Sequence, residues 1–483
     1  MIRIFANLAF ALLILTLAAY SPATKAQMTD VSGGSFVFLS AAKSCPYAGA
    51  PNCYLDDPVG AVAVVTALRQ AGGFFFLLPS ASSAQMSVMG SAISAQGGKF
   101  LTYEEWAWKA ASTSGQFNCD QYTSNRIIPD LLPLKAAYPD AFYGFQLADE
   151  PATPEHQSLG KLKACLMSQP AFAGMKVFLN LVPVNANDAA LNIPGSAQAD
   201  AMQPSEYGVD CTSNALVSRD LATSMVNKYT TYVLSALDNI APDVLAFDLY
   251  PFTAQFDGCS AARDLVMSEN MSIISSQALR RNIAPVAYLQ NVRASPLAAN
   301  PGPTSYEYAN FYHLRWFSSW HFVFGGRGFA NFVSHDVDDK AGSPQFEGLL
   351  TSDNKPRDLL SDQQSTYGMT SQVEIALTHY PFQQFVAPFL GVPTGSIVGW
   401  MPSNDLMAGE YGDASSGQVM LFVARRPTDS TVAATLGLNQ WWVKIEQLNF
   451  TTGVWEVVGR STNAINVNLG SFPGALFRLS SQP

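Results

Sequence analysis

Two adjacent carboxylates, Asp149 and Glu150, end an apolar run that starts at Phe142, and Pro151 follows them directly. Strands of a parallel barrel are buried on both faces, so charge is expected only where a strand leaves the sheet. In a (β/α)8 barrel that exit is the catalytic face. The alternative is that the two carboxylates cap a helix that begins near Pro154, because acidic groups favour helix N-termini.

Asp248 is a second carboxylate of this kind, because it also ends an apolar run. Two carboxyl groups facing each other across a neutral substrate are what glycosidic bond cleavage requires. Glu150 is the predicted acid, since an apolar rim that includes Trp106 would keep it protonated. Asp149 would orient this acid or bind sugar hydroxyls. The alternative role of Asp248 is a hydrogen-bonded cap for neighbouring loops.

The elements that must position these residues follow from an alternation of strand-like and helical patterns, which indicates parallel β/α units. No glycine-rich GxGxxG turn follows an early strand, so a closed α/β barrel is favoured over an open nucleotide-binding sheet. The eight predicted strands are Ser35–Leu39, Gly73–Leu78, Lys99–Tyr103, Phe142–Leu147, Lys176–Leu181, Val244–Leu249, Pro285–Leu289 and Gly328–Val333. The predicted helices are Val59–Gln70, Ser87–Ala95, Asn125–Ala137, Gln157–Gln169, Ala222–Leu237, Asp264–Arg281, Tyr306–Phe324 and Tyr367–Tyr380.

Several further polar residues follow the predicted strands and should meet at the carboxyl mouth of the barrel. The predicted substrate-binding residues are Asp149, Asn180, Tyr250, Gln290, Trp106, His335 and Asp336, and Glu104 and Glu105 also lie at this mouth. Aromatic residues there could instead be plain packing, and Asn180 and Gln290 could instead satisfy loop backbone groups. The mouth lacks a metal-ligand cluster with basic phosphate-binding partners, so the predicted chemistry uses no metal and no cofactor.

The chain has three predicted regions, which are a signal peptide over residues 1–26, a barrel over 27–380 and an antiparallel β-sandwich over 381–483. Arg3, an apolar stretch from Leu8 to Ala19 and the small residue Ala26 are typical of an export signal. Beyond residue 380 the helical periodicity gives way to short alternating runs between turn residues. We therefore expect a periplasmic or secreted protein, and an uncleaved tether is the alternative.

Six cysteines in an exported chain predict disulfides. Cys45–Cys53 is the first predicted pair, because the two residues bracket a short Pro- and Gly-containing loop, and Cys119–Cys165 and Cys211–Cys259 are the other two. No CxxC or His-rich spacing is present, which argues against a structural zinc site.

The formal net charge of −10 makes the chain a poor match for nucleic acid, whose phosphates it would repel. Aromatic residues make up 12% and charged residues 13% of the chain, which suits aromatic platforms for neutral ligands such as carbohydrate. The apolar segment 316–333 is interrupted by His321, Arg327 and the pair Gly325-Gly326, so no stable membrane span is expected. The sequence does not predict an oligomeric state.

Four segments in barrel order resemble glycoside hydrolases of the clan A-like TIM-barrel superfamily, namely 143–151, 178–183, 247–251 and 314–317 leading into 324–329. The resemblance extends loosely to the C-terminal β-sandwich that many such enzymes carry. It implies that Glu150, at the end of the fourth strand, is the acid/base residue. It also implies a nucleophile at the end of the seventh strand, where this chain has Gln290. Another carboxylate, namely Asp248, Glu307 or Asp336, would then have to serve as base or nucleophile.

Strands four and six are not neighbours, so Asp248 and Glu150 are expected to lie farther apart than the about 5–5.5 Å of a retaining pair. The predicted activity is therefore a glycoside hydrolase that inverts the anomeric centre. A catalytically silent carbohydrate-binding barrel is the main alternative, because of Gln290. A polysaccharide lyase with Tyr250 or His335 as base is a further alternative.

Overall fold

Eight parallel strands of this chain close into a barrel. Each strand pairs with the strands before and after it in the sequence, and the first pairs with the eighth. The computed structural model describes residues 31, 34–39, 53–79, 81–113, 116–194, 201–294, 309–338, 344–351, 353–387, 392–412, 417–426, 431–470 and 472–482. The predicted signal peptide lies outside these residues, as do Cys45 and Glu307.

The barrel strands confirm all eight sequence predictions to within two residues at each end. They are β1 (Ser35–Phe38), β2 (Gly73–Leu78), β3 (Lys99–Tyr103), β4 (Phe142–Asp149), β5 (Lys176–Leu181), β6 (Val244–Phe247), β7 (Ala284–Leu289) and β8 (Gly328–Asn331). Alternate side chains fill the interior, where Phe36 stacks on Phe75 with ring centroids 4.5 Å apart. The interior is thus a packed core, and the open space for chemistry is at the carboxyl ends of the strands.

Helices surround the barrel and bury one face against it. The longer ones are α1 (Pro58–Gln70), α2 (Ser83–Ala95), α6 (His156–Met167), α8 (Arg219–Ile240), α9 (Ser260–Leu279), α10 (Phe311–Val323) and α11 (Asp358–Leu377), and the shorter ones are α3 (Glu105–Ala110), α4 (Cys119–Tyr122), α5 (Leu132–Ala137) and α7 (Asp188–Asn192). Among the residues that the structure describes, no helix combines the length and the apolar character that a membrane span needs.

One predicted helix is divided in two. The pattern over residues 125–137 predicts a continuous α-helix, but residues Thr123–Leu131 form a π-helix and only Leu132–Ala137 returns to α geometry. Pro129 lies inside the π segment, and a proline has no N–H with which to continue the α-helical ladder.

The C-terminal region is antiparallel β structure, as predicted. Its seven strands are β9 (Phe382–Val386), β10 (Val398–Trp400), β11 (Leu406–Tyr411), β12 (Gln418–Arg425), β13 (Val432–Leu448), β14 (Trp455–Leu469) and β15 (Gly474–Ser480). They form one hydrogen-bonded network in the order β9-β11-β12-β15-β13-β10, with β14 paired to β13. Side chains from these strands share a core of their own that includes Leu421 on β12 and Phe477 on β15.

Helix α10 joins the barrel to this sheet. The indole nitrogens of Trp316 and Trp320 donate to the main-chain carbonyls of Arg426, at 3.0 Å, and Arg425, at 3.3 Å. The Tyr411 hydroxyl donates to a carbonyl in the last turn of the same helix. Both tryptophans are fully buried, so one helix packs on the barrel strands and on the sheet at once.

Two of the three predicted disulfides are confirmed. Cys119–Cys165 ties α4 to α6, and Cys211–Cys259 ties the loop after β5 to the loop after β6. The predicted partner of Cys53, Cys45, is outside the described residues, so that pairing stays a prediction. The second disulfide braces the loops that follow the strands of Asn180 and Asp248.

Gly144 sets the distance between β4 and β5, the strands that carry Asp149 and Asn180. A Cβ atom at this position would lie 2.0 Å from the Lys176 carbonyl oxygen. We expect Gly144→Ala to destabilise the protein by about 1–3 kcal/mol, because the two strands must separate. Thermal unfolding measures the effect. Gly368→Ala is the matched control, since its new methyl group meets nothing within 4 Å and should stabilise α11 slightly. Equal midpoint temperatures of unfolding for the two variants would contradict the prediction.

Candidate active site

The end of β4 is irregular, and this irregularity positions the two adjacent carboxylates. The pairing of β4 with β5 shifts register between Gln146 and Asp149. Glu150 then adopts φ +48°, a left-handed conformation that is uncommon outside glycine, and its N–H donates to the Asn180 carbonyl at 3.1 Å. Strain of this kind persists where the surrounding structure enforces it, often at functional sites.

Asn180 connects the carboxyl groups across the mouth. Its Nδ2 donates to Asp149 Oδ1 at 2.8 Å, and its side chain also hydrogen-bonds the Asp248 carboxyl group. Asp248 in turn hydrogen-bonds the side chain of Glu150. The expected wide separation of Glu150 and Asp248 is therefore wrong. Strand order alone placed them apart, whereas the register shift and the left-handed Glu150 bring the two side chains into contact.

Burial and mutual repulsion raise the pKa values of two carboxyl groups in this cluster. Burial, followed by the charges of Glu150 and Asp149, raises the pKa of Asp248 well above its usual range, against an opposing hydrogen bond from Asn180. Burial also raises the pKa of Asp149 to about 6, with Asn180 lowering it and Glu105 adding to the rise. Asp248 is 7% exposed, whereas Glu150 is only half-buried. The raised pKa of Asp248 favours its protonated form.

The raised pKa of Asp248 predicts a pH-dependent cost in stability. A carboxyl group with a raised folded pKa stabilises the fold below its unfolded pKa, and this contribution is lost as pH rises. We expect Asp248→Asn to be more stable than wild type by about 1–3 kcal/mol at pH 8, and by less at pH 4. Denaturant unfolding at several pH values measures this. Asp238→Asn, an exposed change at the far end of α8, is the control. A gain in the free energy of unfolding that does not depend on pH would contradict the raised pKa of Asp248 as its cause.

Glu104 and Glu105 are adjacent in the chain but have different partners. Glu104 is fully buried and accepts hydrogen bonds from Arg126 at 3.0 and 3.1 Å and from the Tyr122 hydroxyl at 2.7 Å. Glu105 instead contacts the carboxyl cluster, since it accepts a hydrogen bond from the Asp149 N–H at 3.3 Å. Its other partners are the Tyr103 hydroxyl and Lys109. Glu104 is thus structural, and Glu105 belongs to the mouth.

Half-buried aromatic rings lie at the ends of other barrel strands. Phe38 packs edge-on against Tyr103 with centroids 6.3 Å apart, and Tyr250 contacts Phe332 at 5.7 Å. Trp106, in α3, is 65% exposed. Sequence reasoning predicted Tyr250 and Trp106 but missed the other three rings. The signal that could have found them is their position, because each lies at or just beyond the end of a predicted barrel strand.

Three predicted substrate-binding residues are engaged elsewhere in the fold. The Gln290 amide pairs with the main chain of Phe252, accepting from its N–H at 2.7 Å and donating to its carbonyl. The ring of His335 is buried against Tyr54, and burial lowers its pKa to about 4. Asp336 accepts two hydrogen bonds from a single guanidinium group, that of Arg357, at 2.9 and 2.7 Å. These three side chains hold loops in place, which is the alternative role that the sequence allowed for Gln290.

No group of three or more His, Cys, Asp and Glu side chains in the described part of the chain has the arrangement of a metal site. What the mouth offers is a hydrogen-bonded pair of carboxyl groups, one of which has a raised pKa, beside aromatic rings and an amide. This combination suits acid–base chemistry on an uncharged bond.

No protein-family model matches the chain, and no curated protein matches it by sequence. Solved structures with a similar chain path include a family 39 glycoside hydrolase from Bacteroides cellulosilyticus WH2, at 9% identity and a TM-score of 0.44, covering 93% of this chain and 81% of that one. Another is the GH51 arabinofuranosidase from Xanthomonas axonopodis pv. citri, at 10% identity and a TM-score of 0.40, covering 94% and 95%. An Anoxybacillus alpha-amylase has 8% identity and a TM-score of 0.41, covering 94% and 99%.

Proposed function

We propose that this chain is an exported glycoside hydrolase that cleaves a polysaccharide or oligosaccharide without a cofactor. The observation that carries the proposal is the hydrogen-bonded Glu150–Asp248 pair at the mouth, in which burial and the neighbouring carboxylates raise the pKa of Asp248. The two observed disulfides are typical of an oxidising compartment, which supports the proposed signal peptide at residues 1–26. Residues 27–380 would form the catalytic domain and 381–483 the C-terminal domain.

Glu150 is the proposed acid, because it is the more exposed member of the pair. The proton moves from Asp248 to Glu150 along their hydrogen bond, and Glu150 then gives it to the glycosidic oxygen as the bond from that oxygen to the anomeric carbon breaks. Asp248, now ionised, forms an ester with the anomeric carbon. Glu150 next removes a proton from water, whose oxygen attacks the anomeric carbon and displaces Asp248 as a carboxylate. The proton on Glu150 then returns to Asp248 and restores the starting pair. Asn180 keeps Asp248 in position throughout.

This mechanism predicts retention of the anomeric configuration. Inversion needs about 6.5–9.5 Å between the carboxyl groups and retention about 5–5.5 Å, so the hydrogen-bonded pair of Glu150 and Asp248 is nearer to the retaining separation. Proton NMR of the first products formed should show the same anomer as the cleaved linkage. Appearance of the opposite anomer would exclude Asp248 as nucleophile.

The activity itself is tested with purified mature protein on a broad glycan panel, with products read by reducing-end assay and mass spectrometry. Glu150→Gln should lose cleavage, and Glu456→Gln, a matched change on the exposed face of β14, should retain it. If the wild type bound a glycan but cleaved nothing on the panel, the proposal would fail in favour of a binding barrel. The seventh-strand residue Gln290 is the feature that motivates that alternative.

A further inference from the structure

Among the residues that the structure describes, the carboxyl cluster at the mouth has almost no compensating positive charge. Glu105 is paired with Lys109, whose ammonium group also lies 3.5 Å from Glu155. The groups that shift the pKa values of Asp149 and Asp248 are other carboxylates and the neutral Asn180, with no basic side chain among them. A negatively charged ligand would be repelled here, and a positively charged one would be attracted.

A second observation concerns hydrogen bonding. Asp248 Oδ1 and Asn180 Oδ1 are buried, and neither accepts a hydrogen bond from any residue in the described part of the chain. Asp248 is 7% exposed and Asn180 is fully buried, and both residues lie at the carboxyl ends of barrel strands that reach the mouth. Buried acceptors of this kind are normally satisfied. The Asn180 amide oxygen can only accept, and a carboxyl oxygen of Asp248 accepts unless it carries the proton, so a ligand that donates hydrogen bonds completes them.

Aromatic rings surround the same cluster. Tyr103 hydrogen-bonds Glu105, and the half-buried rings of Phe38, Tyr250 and Phe332 lie at the ends of β1, β6 and β8 around the same mouth. Aromatic faces bind sugar rings and also attract ammonium groups. A bare metal ion fits less well, since the described residues contain no cluster with metal-ligand geometry.

We propose that the sugar bound beside Asp149, Asn180 and Asp248 carries a free amine, so that the substrate is a glycan containing hexosamine without its N-acetyl group. That this sugar is cleaved rests on the proposed hydrolase function. That its amine is recognised rests only on the residues at the mouth. The ammonium group supplies the charge and the three N–H donors that the carboxylates and the Asn180 oxygen require. An N-acetyl group removes that charge, and a uronic acid reverses it.

The test uses monosaccharides, because they avoid any assumption about linkage. Glucosamine, galactosamine and mannosamine are compared by ligand-observed NMR titration with the matching hexoses, N-acetylhexosamines and hexuronic acids. We expect at least one amine to bind about tenfold or more tightly than its hexose at about 20 mM salt, with the advantage shrinking at about 500 mM salt. Equal affinity for amine and hexose, or tighter binding of a uronic acid, would overturn the proposal.

Two further measurements tie the effect to the cluster. Asp149→Asn should reduce the amine preference to within about threefold, whereas Asp238→Asn should leave it unchanged.

Amine binding near pH 6 should release protons, seen by calorimetry in two buffers, because a nearby cation lowers the raised pKa of Asp149. The groups facing Asp149 are Glu105 and Tyr103 from the β3 side, Glu150, Asp248, Tyr232 and Tyr288. An unchanged preference in Asp149→Asn, or displacement of the amine by Mg²⁺ or Ca²⁺ alone, would contradict the assignment.

These outcomes separate the inference from the function. Amine binding without cleavage of any amino glycan would refute the hydrolase and leave the recognition site standing. Cleavage of a neutral glycan with no amine preference would refute the recognition site and leave the hydrolase standing.

Discussion

Glu150→Gln is expected to lower the rate of cleavage of ordinary glycans by about 10²–10⁴-fold, because the leaving oxygen then departs without a proton. The same variant should keep most of its bond-breaking rate on a dinitrophenyl glycoside of the same sugar, whose leaving group needs no proton. Single-turnover release of dinitrophenol measures this step directly. The half-exposed position of Glu150 at the end of β4 is the structural reason for expecting it to contact the leaving group.

Asp248→Asn provides the contrast, because loss of the proposed nucleophile is not compensated by a better leaving group. This variant should be slow on both kinds of substrate, and azide should restore part of the rate by attacking the anomeric carbon in its place. If Glu150→Gln were equally slow on both substrates while Asp248→Asn recovered on the dinitrophenyl glycoside, the two roles would have to be exchanged. Asp238→Asn should behave as wild type on both.

Arg126→Met should destabilise the protein by about 3–5 kcal/mol at pH 7, because it leaves a fully buried carboxylate without its cation. Burial alone would raise the pKa of Glu104, but the Arg126 charge and hydrogen bonds outweigh it and hold that pKa below the usual range. The remaining partner, the Tyr122 hydroxyl, cannot replace the charge. Denaturant unfolding of the disulfide-intact protein gives the free energy.

The sign of the pH dependence follows from the lowered pKa of Glu104. A carboxyl group with a depressed folded pKa contributes stability above its unfolded pKa, and that contribution disappears as pH falls. The gap between wild type and Arg126→Met should therefore narrow from pH 7 towards pH 4. Lys228→Met, which breaks the exposed 2.8 Å pair with Asp188, should cost less than about 1 kcal/mol. An equal loss in both variants would refute the burial argument, and Glu104→Leu combined with Arg126→Met should recover much of the stability.

The barrel could be predicted from the sequence because each buried strand is a nearly continuous apolar run that ends in a polar residue. Val244–Phe247 before Asp248 is one example, and the structure confirms it. The π-helix at Thr123–Leu131 was not predictable from periodicity, since the same apolar spacing suits an α-helix and only Pro129 disturbs it. The single hydrogen-bonded network of the C-terminal strands depends on long-range pairing, which alternating patterns do not encode.

The sequence predicted which polar residues end the barrel strands, and it predicted the geometry of their side chains less well. Glu150 and Asp248 follow from strand ends, but their contact depends on a register shift and on φ +48° at Glu150, which no residue type in that stretch signals. Gln290 and Asp336 also follow strand ends, yet they bind loop backbone and Arg357. Position at a strand end thus places a residue near the mouth, and only the loop partners decide whether its polar group faces the ligand.

Helix α10 limits how this chain can be rearranged. Its Trp316 and Trp320 are fully buried and hydrogen-bond to the end of β12, while the helix also packs on the barrel. Deleting the C-terminal strands would leave two indole N–H groups without partners and a large apolar surface facing water. The C-terminal sheet is therefore not a removable module. Exchange of this sheet for that of another barrel protein would have to carry α10 with it.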